Sequence, residues 1–172
     1  NGLVLEFQHS YIDSIERVKR EKFYKDMIWV VDGARLKRDY PRFMRAQRGF
    51  QPTQKRGHFL VNTIEECFPA NWVQSSVPVI FDFKGIEVIS DIRNMKNHLY
   101  CLFPKSNYRK SMIAMFNRQP LIDLLINGEI IKVLQETEAQ IVQQPIGIIP
   151  TIPPISPAYM LGRKGVIRRR RF

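Results

Sequence analysis

Glu6 and Gln8 flank Phe7 in an apolar opening stretch, Leu3-Val4-Leu5-Glu6-Phe7-Gln8. On a strand, residues two apart project to one side and the residue between them to the other, so the carboxylate and the amide share a face. A carboxylate supplies hard oxygen ligation for Mg²⁺ or Mn²⁺. The intervening Phe7 carbonyl can complete the coordination, and the Gln8 amide can orient a water for in-line attack on phosphorus. The same spacing also describes the solvent face of any half-buried strand, so its meaning depends on its surroundings. Ser10 is close enough to meet a phosphate near a helix start, or to serve only the turn. His58 and His98 have no acidic or cysteine neighbours at ligand spacing, and Cys67 and Cys101 are too few for a four-cysteine site, so zinc is not expected.

The elements that would position these residues read as strand, helix, strand. Asp13 with Glu16 three residues on has the form of a capping box and predicts a helix from about Ser14 to Lys25. The apolar run Met27 to Val31, closed by Asp32-Gly33, predicts a buried strand and a turn. On the helix, Lys19 and Lys22 fall within the arc of Ile15, Val18 and Phe23 at 100° per residue, so they are expected to face the sheet. They, or Arg20, would then bring a cation back toward Glu6, while snorkelling of the lysine stems over the sheet edge is the plainer alternative. Downstream, Leu60, Ile64, Cys67 and Phe68 at helical spacing predict a helix over Phe59–Phe68. Val77–Phe83 with Ile86–Ile89 predicts a hairpin around Lys84-Gly85, and His98–Phe103 a strand. Tyr108–Gln144 reads as helix-rich, with Pro120 at a helix start and Gly128 as an interruption.

The block Glu6-Phe7-Gln8-His9-Ser10, Ile12, then Arg20, Phe23 and Tyr24, then Ile28-Trp29-Val30-Val31-Asp32-Gly33 resembles the nuclease domain of competence protein CoiA-like proteins, and through it the PD-(D/E)XK nucleases. A weaker echo runs through Trp72 and Val77-Pro78-Val79-Ile80-Phe81-Asp82-Phe83, and none is evident from Arg109 onward. The resemblance implies an α/β fold, here an incomplete nuclease-like core entered at the third strand. It would be followed by a mixed α+β region and a helical C-terminal part. It also implies that Glu6 takes the metal-binding acid and Gln8 the position usually held by lysine. The preceding strand's aspartate is absent, so this chain by itself is expected to be inactive.

With 172 residues, 44% hydrophobic and 11% aromatic, the chain is long and apolar enough for a domain with an appendage, and disorder throughout is excluded. No window has the length of apolar sequence a bilayer span needs, and the cysteine content fits a reducing, cytoplasmic setting. The division expected is 1–107 as the nuclease-like domain, 108–142 as a helical region, and 143–172 as a proline-rich linker and basic tail able to dock a protein partner.

Twenty-seven basic against 16 acidic residues leave +11, which points to polyanions. The charge is concentrated. Arg35, Lys37, Arg38, Arg42, Arg45, Arg48, Lys55 and Arg56 face only Asp39, a net of +7, and the last ten residues add +6, so the remainder is slightly acidic. Tyr40, Phe43 and Phe50 lie between these arginines, a mixture suited to phosphate contact with base stacking, although a loop anchored by its aromatics would look the same. The expected partner is DNA, met by Ser10, Arg20, Arg35, Lys37, Arg38, Arg42, Arg45 and Arg48. The expected chemistry is phosphodiester hydrolysis, with Glu6, Gln8, Lys19 and Lys22 as catalytic groups and Glu6 with the Phe7 carbonyl on the metal. The rival expectation is a DNA-binding module that does not cut.

Overall fold

The order of elements alternates strands with helices, which commits most of the chain to one sheet with helices laid on its faces. The computed structural model describes residues 2–24, 26–105 and 110–142, with side chains through residue 136. The expected linker and tail, 143–172, lie outside the described residues. Asn1–Val133 form one compact unit, which holds the whole sheet, and a second begins at Leu134.

Strand β1 (Val4–Gln8) leads into helix α1 (Ser14–Phe23), whose cap is Asp13: its carboxylate accepts the Ile15 and Glu16 amides at 2.8 and 2.9 Å. Strand β2 (Met27–Asp32) then lies parallel to β1, with Glu6 opposite Trp29 and Gln8 opposite Val31. After α2 (Asp39–Ala46) come β3 (Gln51–Pro52), β4 (His58–Val61) and the short α3 (Ala70–Val73). Strands β5 (Val79–Asp82), β6 (His98–Leu102) and β7 (Ser111–Asn117) complete the sheet, and α4 (Arg118–Ile126) and α5 (Ile130–Val142) come last. The sheet has seven strands in the order β1-β2-β5-β6-β7-β4-β3; β1, β2 and β5 are mutually parallel, and the other pairings are antiparallel.

One sheet face carries Trp29, Val31, Val79, Phe81, Tyr100 and Ile113, all buried, and α2 and α3 close it with Phe43, Trp72 and Val73. Phe43 is fully buried, its ring 4.8 Å from Phe83 and 4.5 Å from Tyr100. The opposite face is apolar as well: Ile28, Ile80, Cys101 and Ala114 are buried, as is Leu121 of α4. Burial on both faces is why the central strands read as continuous apolar runs without alternation.

Three expectations are corrected. The segment Phe59–Phe68 is not a helix but the end of β4 followed by a 3-10 turn at Ile64–Glu66. No hairpin forms around Lys84-Gly85: β5 already has β2 on one edge and β6 on the other, so 86–89 has no edge to join. Residues 111–117 are a strand inside the sheet, so a boundary after residue 107 does not divide the structure. Pro120 does lie in the first turn of α4, and Gly128 breaks the helical run with φ +70°. No helix among the described residues is long and apolar enough to cross a membrane.

Candidate nucleic-acid interface

Because Trp29 and Val31 point into the helix-covered face, their β1 neighbours Glu6 and Gln8 point to that same side, while Phe7 is 64% exposed on the other. The acid and the amide therefore do share a face, but their surroundings differ. Glu6 is half-buried and ion-paired to Arg20, whose guanidinium also binds Glu16 one turn earlier on α1. Those two carboxylates, Glu16 first, hold the Arg20 pKa above its ordinary value. Gln8 instead lines a cleft of about 310 Å³ and donates to the Ser10 carbonyl and hydroxyl at 3.0 and 3.1 Å.

That cleft lies over the carboxyl ends of the three parallel strands, where β1 contributes Gln8, β2 Asp32 and β5 Phe81, with Phe83 just beyond β5. Ser10 and Tyr11 form part of its wall after β1, the segment leading into α2 brings Arg35 and Arg38, and α2 itself brings Arg42. Phe43 anchors α2 in the core, with Met44 packed beside it, and the exposed Arg35 and Arg38 lie on the segment just before the helix. The two carboxylates on the lining are already engaged. Buried Asp39 pairs with Arg42 at 3.2 Å, and Asp32 accepts the Ala34 amide at 2.9 Å and stands 3.8 Å from the exposed His9 ring. Arg35 and Arg38 have no carboxylate partner among the described residues and stay exposed.

Gly33 forms part of the cleft lining, and a methyl group there would fall 2.6 Å from the Phe83 ring and 3.2 Å from the Asp82 carbonyl. This is a position where close approach requires glycine. Cys67 also lines the cleft; burial pushes its thiol up to about 12, so it is an inert packing group rather than a nucleophile.

Of the three α1 cations considered for Glu6, Arg20 is the one that touches it. Lys19 and Lys22 are exposed, and the expectation that they face the sheet is corrected. The inward side of α1 is polar. Arg17 and Glu21 are buried and paired, Arg17 Nε donates to Asn71 Oδ1 at 3.3 Å, and Glu21 also accepts from Trp29 Nε1, the Ser75 and Ser76 hydroxyls and the Ser76 amide. Burial by itself would raise the Glu21 pKa, but Arg17 and these donors hold it below the ordinary carboxylate range. Ile15 and Phe23 consequently face outward, 68% and 78% exposed. The Arg17/Glu21 spacing of four was visible in the sequence, but that spacing ordinarily marks a surface pair.

Lys37, Arg45 and Arg48 are exposed on the same basic segment without lining the cleft. Phe43 is core and cannot stack on a base, and Tyr40 and Phe50 are half-buried, packed toward Phe83 and Phe43. Asp82, at the end of β5, is clamped by Arg118 at 2.8 and 2.6 Å. Against the raising effect of burial, that clamp and the Lys84 and Gly85 amides lower its pKa, and the pair ties the start of α4 to the sheet.

The resemblance implies magnesium on Glu6 and the Phe7 carbonyl. Glu6 is held by an arginine, and no group of three His, Cys, Asp or Glu side chains among the described residues could hold a metal ion. No protein-family model, curated protein or solved structure matches the chain.

Proposed function

We propose that the cleft over the carboxyl ends of β1, β2 and β5 binds the phosphodiester backbone of DNA. The observation that carries this reading is the convergence of Arg35, Arg38 and Arg42 on the cleft, with the first two free of any carboxylate among the described residues. Guanidinium groups suit phosphate because their planar donors bind two oxygens at once. Gln8 and Ser10 add short polar groups to the lining, the exposed Tyr11 joins them for stacking, and Lys37, Arg45 and Arg48 extend the positive surface along the arginine segment.

The test is anisotropy of a labelled oligonucleotide titrated with the protein over a range of salt concentrations. The logarithm of the binding constant should fall linearly with the logarithm of salt, and the double substitution Arg35→Ala, Arg38→Ala should reduce the slope by about 0.9 for each phosphate contact removed. Binding that does not respond to salt would sink the proposal.

A second reading, Mg²⁺-dependent hydrolysis of the bound backbone, is favoured by Glu6 and Gln8 sharing a strand face with Gln8 on the cleft. The metal would need oxygen ligands besides Glu6 and the release of Glu6 from Arg20. Nicking of supercoiled plasmid that depends on Mg²⁺ and disappears in Glu6→Ala would establish it, and equal nicking by that variant would dismiss it.

A further inference from the structure

Eight large hydrophobic side chains stand exposed among the described residues, and three of them, Ile86, Val88 and Ile92, fall within seven residues of the loop joining β5 to β6. The backbone of this loop is pinned at several points. The Asp82 carboxylate accepts the Lys84 and Gly85 amides, Gly85 takes φ +55°, Lys96 binds Glu87 at 2.7 Å, Asn97 donates to the Asp91 carbonyl at 2.8 Å, and the Tyr100 hydroxyl donates to the Met95 carbonyl at 2.9 Å. The three aliphatic side chains therefore stand in water on a loop that is pinned between them at Glu87 and Asp91, and their cost in exposed apolar surface is recovered nowhere among the described residues.

The position of the loop limits what it can meet. Phe83, the first residue after β5, lines the arginine cleft, and Lys96 lies over the Tyr40 ring, 5.2 Å from its centroid. Tyr40 comes directly after Asp39 and precedes Arg42 on α2, and both of those line the cleft. The loop is thus tied, through Lys96 and Tyr40, to the helix that carries Arg42 and that directly follows Arg35 and Arg38. Its own charges are Lys84, Arg93 and Lys96 against Glu87 and Asp91, which does not repel a polyanion.

Resting on the reading that DNA phosphates occupy the cleft, we propose that the Ile86-Val88-Ile92 loop is an apolar wedge that enters between adjacent bases of that DNA and unstacks them. Phosphates call for cations and base faces for apolar surface, and this part of the molecule supplies the two side by side. Aliphatic side chains inserted at a base step partially unstack it and kink the duplex, a deformation repaid by the wider contact a bent duplex permits.

The experiment uses the full 172-residue chain and a duplex oligonucleotide carrying one 2-aminopurine, whose fluorescence rises when its neighbours unstack. The wild-type protein should give a severalfold rise at saturation. The variant I86S/V88S/I92S, altered only at exposed positions and checked for an unchanged thermal transition, should bind with similar anisotropy and lose the rise. Binding without a fluorescence change, or an equal rise from the variant, overturns the wedge and leaves the cleft standing; no binding at any salt overturns both. Vesicles containing phosphatidylserine form the third arm. If the substitutions abolish vesicle binding and leave the DNA signal intact, the loop is a lipid contact and the proposal is wrong.

Discussion

Glu21 sits among apolar neighbours with five donors turned toward it, from Arg17, Trp29, Ser75 and Ser76. Removing one member of such a buried pair leaves the other charged and alone, so Glu21→Ala should lower the unfolding free energy by about 3–5 kcal/mol in urea denaturation. The pair also sets an acid limit. The folded carboxyl titrates below its ordinary 4.5, so its contribution is complete above that pH and is lost as pH falls beneath it. His58 acts with the same sign at higher pH. It is buried, its Nε2 has no partner, and burial first of all holds its pKa below 6.5, so the unfolded chain takes up this proton before the folded one does. Urea midpoints should therefore decline in two stages, first below pH 6.5 and again below 4.5, and His58→Gln should remove the first stage.

At the scale of single elements, α1 inverts the usual expectation for an amphipathic helix. Ile15→Gln and Phe23→Gln should each change stability by no more than about 0.5 kcal/mol, because those side chains already meet water. Gly33→Ala should cost about 1–3 kcal/mol and narrow the cleft, because the added methyl collides with the Phe83 ring; a lowered melting temperature together with weaker oligonucleotide binding would show both effects. The strand–helix–strand opening and the Asp13 cap were legible because a single short signal dictated each, although Glu16 turns to Arg20 and does not close the reciprocal half of a capping box. Strand β7 was not, since Met112, Ile113 and Ala114 are all buried and leave no period-two pattern, and Met and Ala also favour helices. The spacing of Leu60, Ile64, Cys67 and Phe68 looked helical because a strand end and a 3-10 turn happen to repeat every three or four residues. The arginine segment was legible as charge, but its seat over the strand ends depends on Phe43 reaching the core, which no local pattern announces.

The whole molecule is joined by pairings distant in sequence. The β3–β4 ribbon lies outside β7, and His58 pairs with Ala114. A chain ending at Lys105 would lack β7 and with it the link between β4 and β6, so it should show no cooperative thermal transition, whereas one ending at Glu136 should keep one; a truncation at Lys105 that melted cooperatively would refute this. The same arrangement bears on synthesis. As the nascent chain leaves the ribosome, the ribbon formed by residues 51–61 waits with an open edge until Asn117 has emerged, and that interval is when a holdase has most to protect and when two growing copies stand most at risk of pairing with each other.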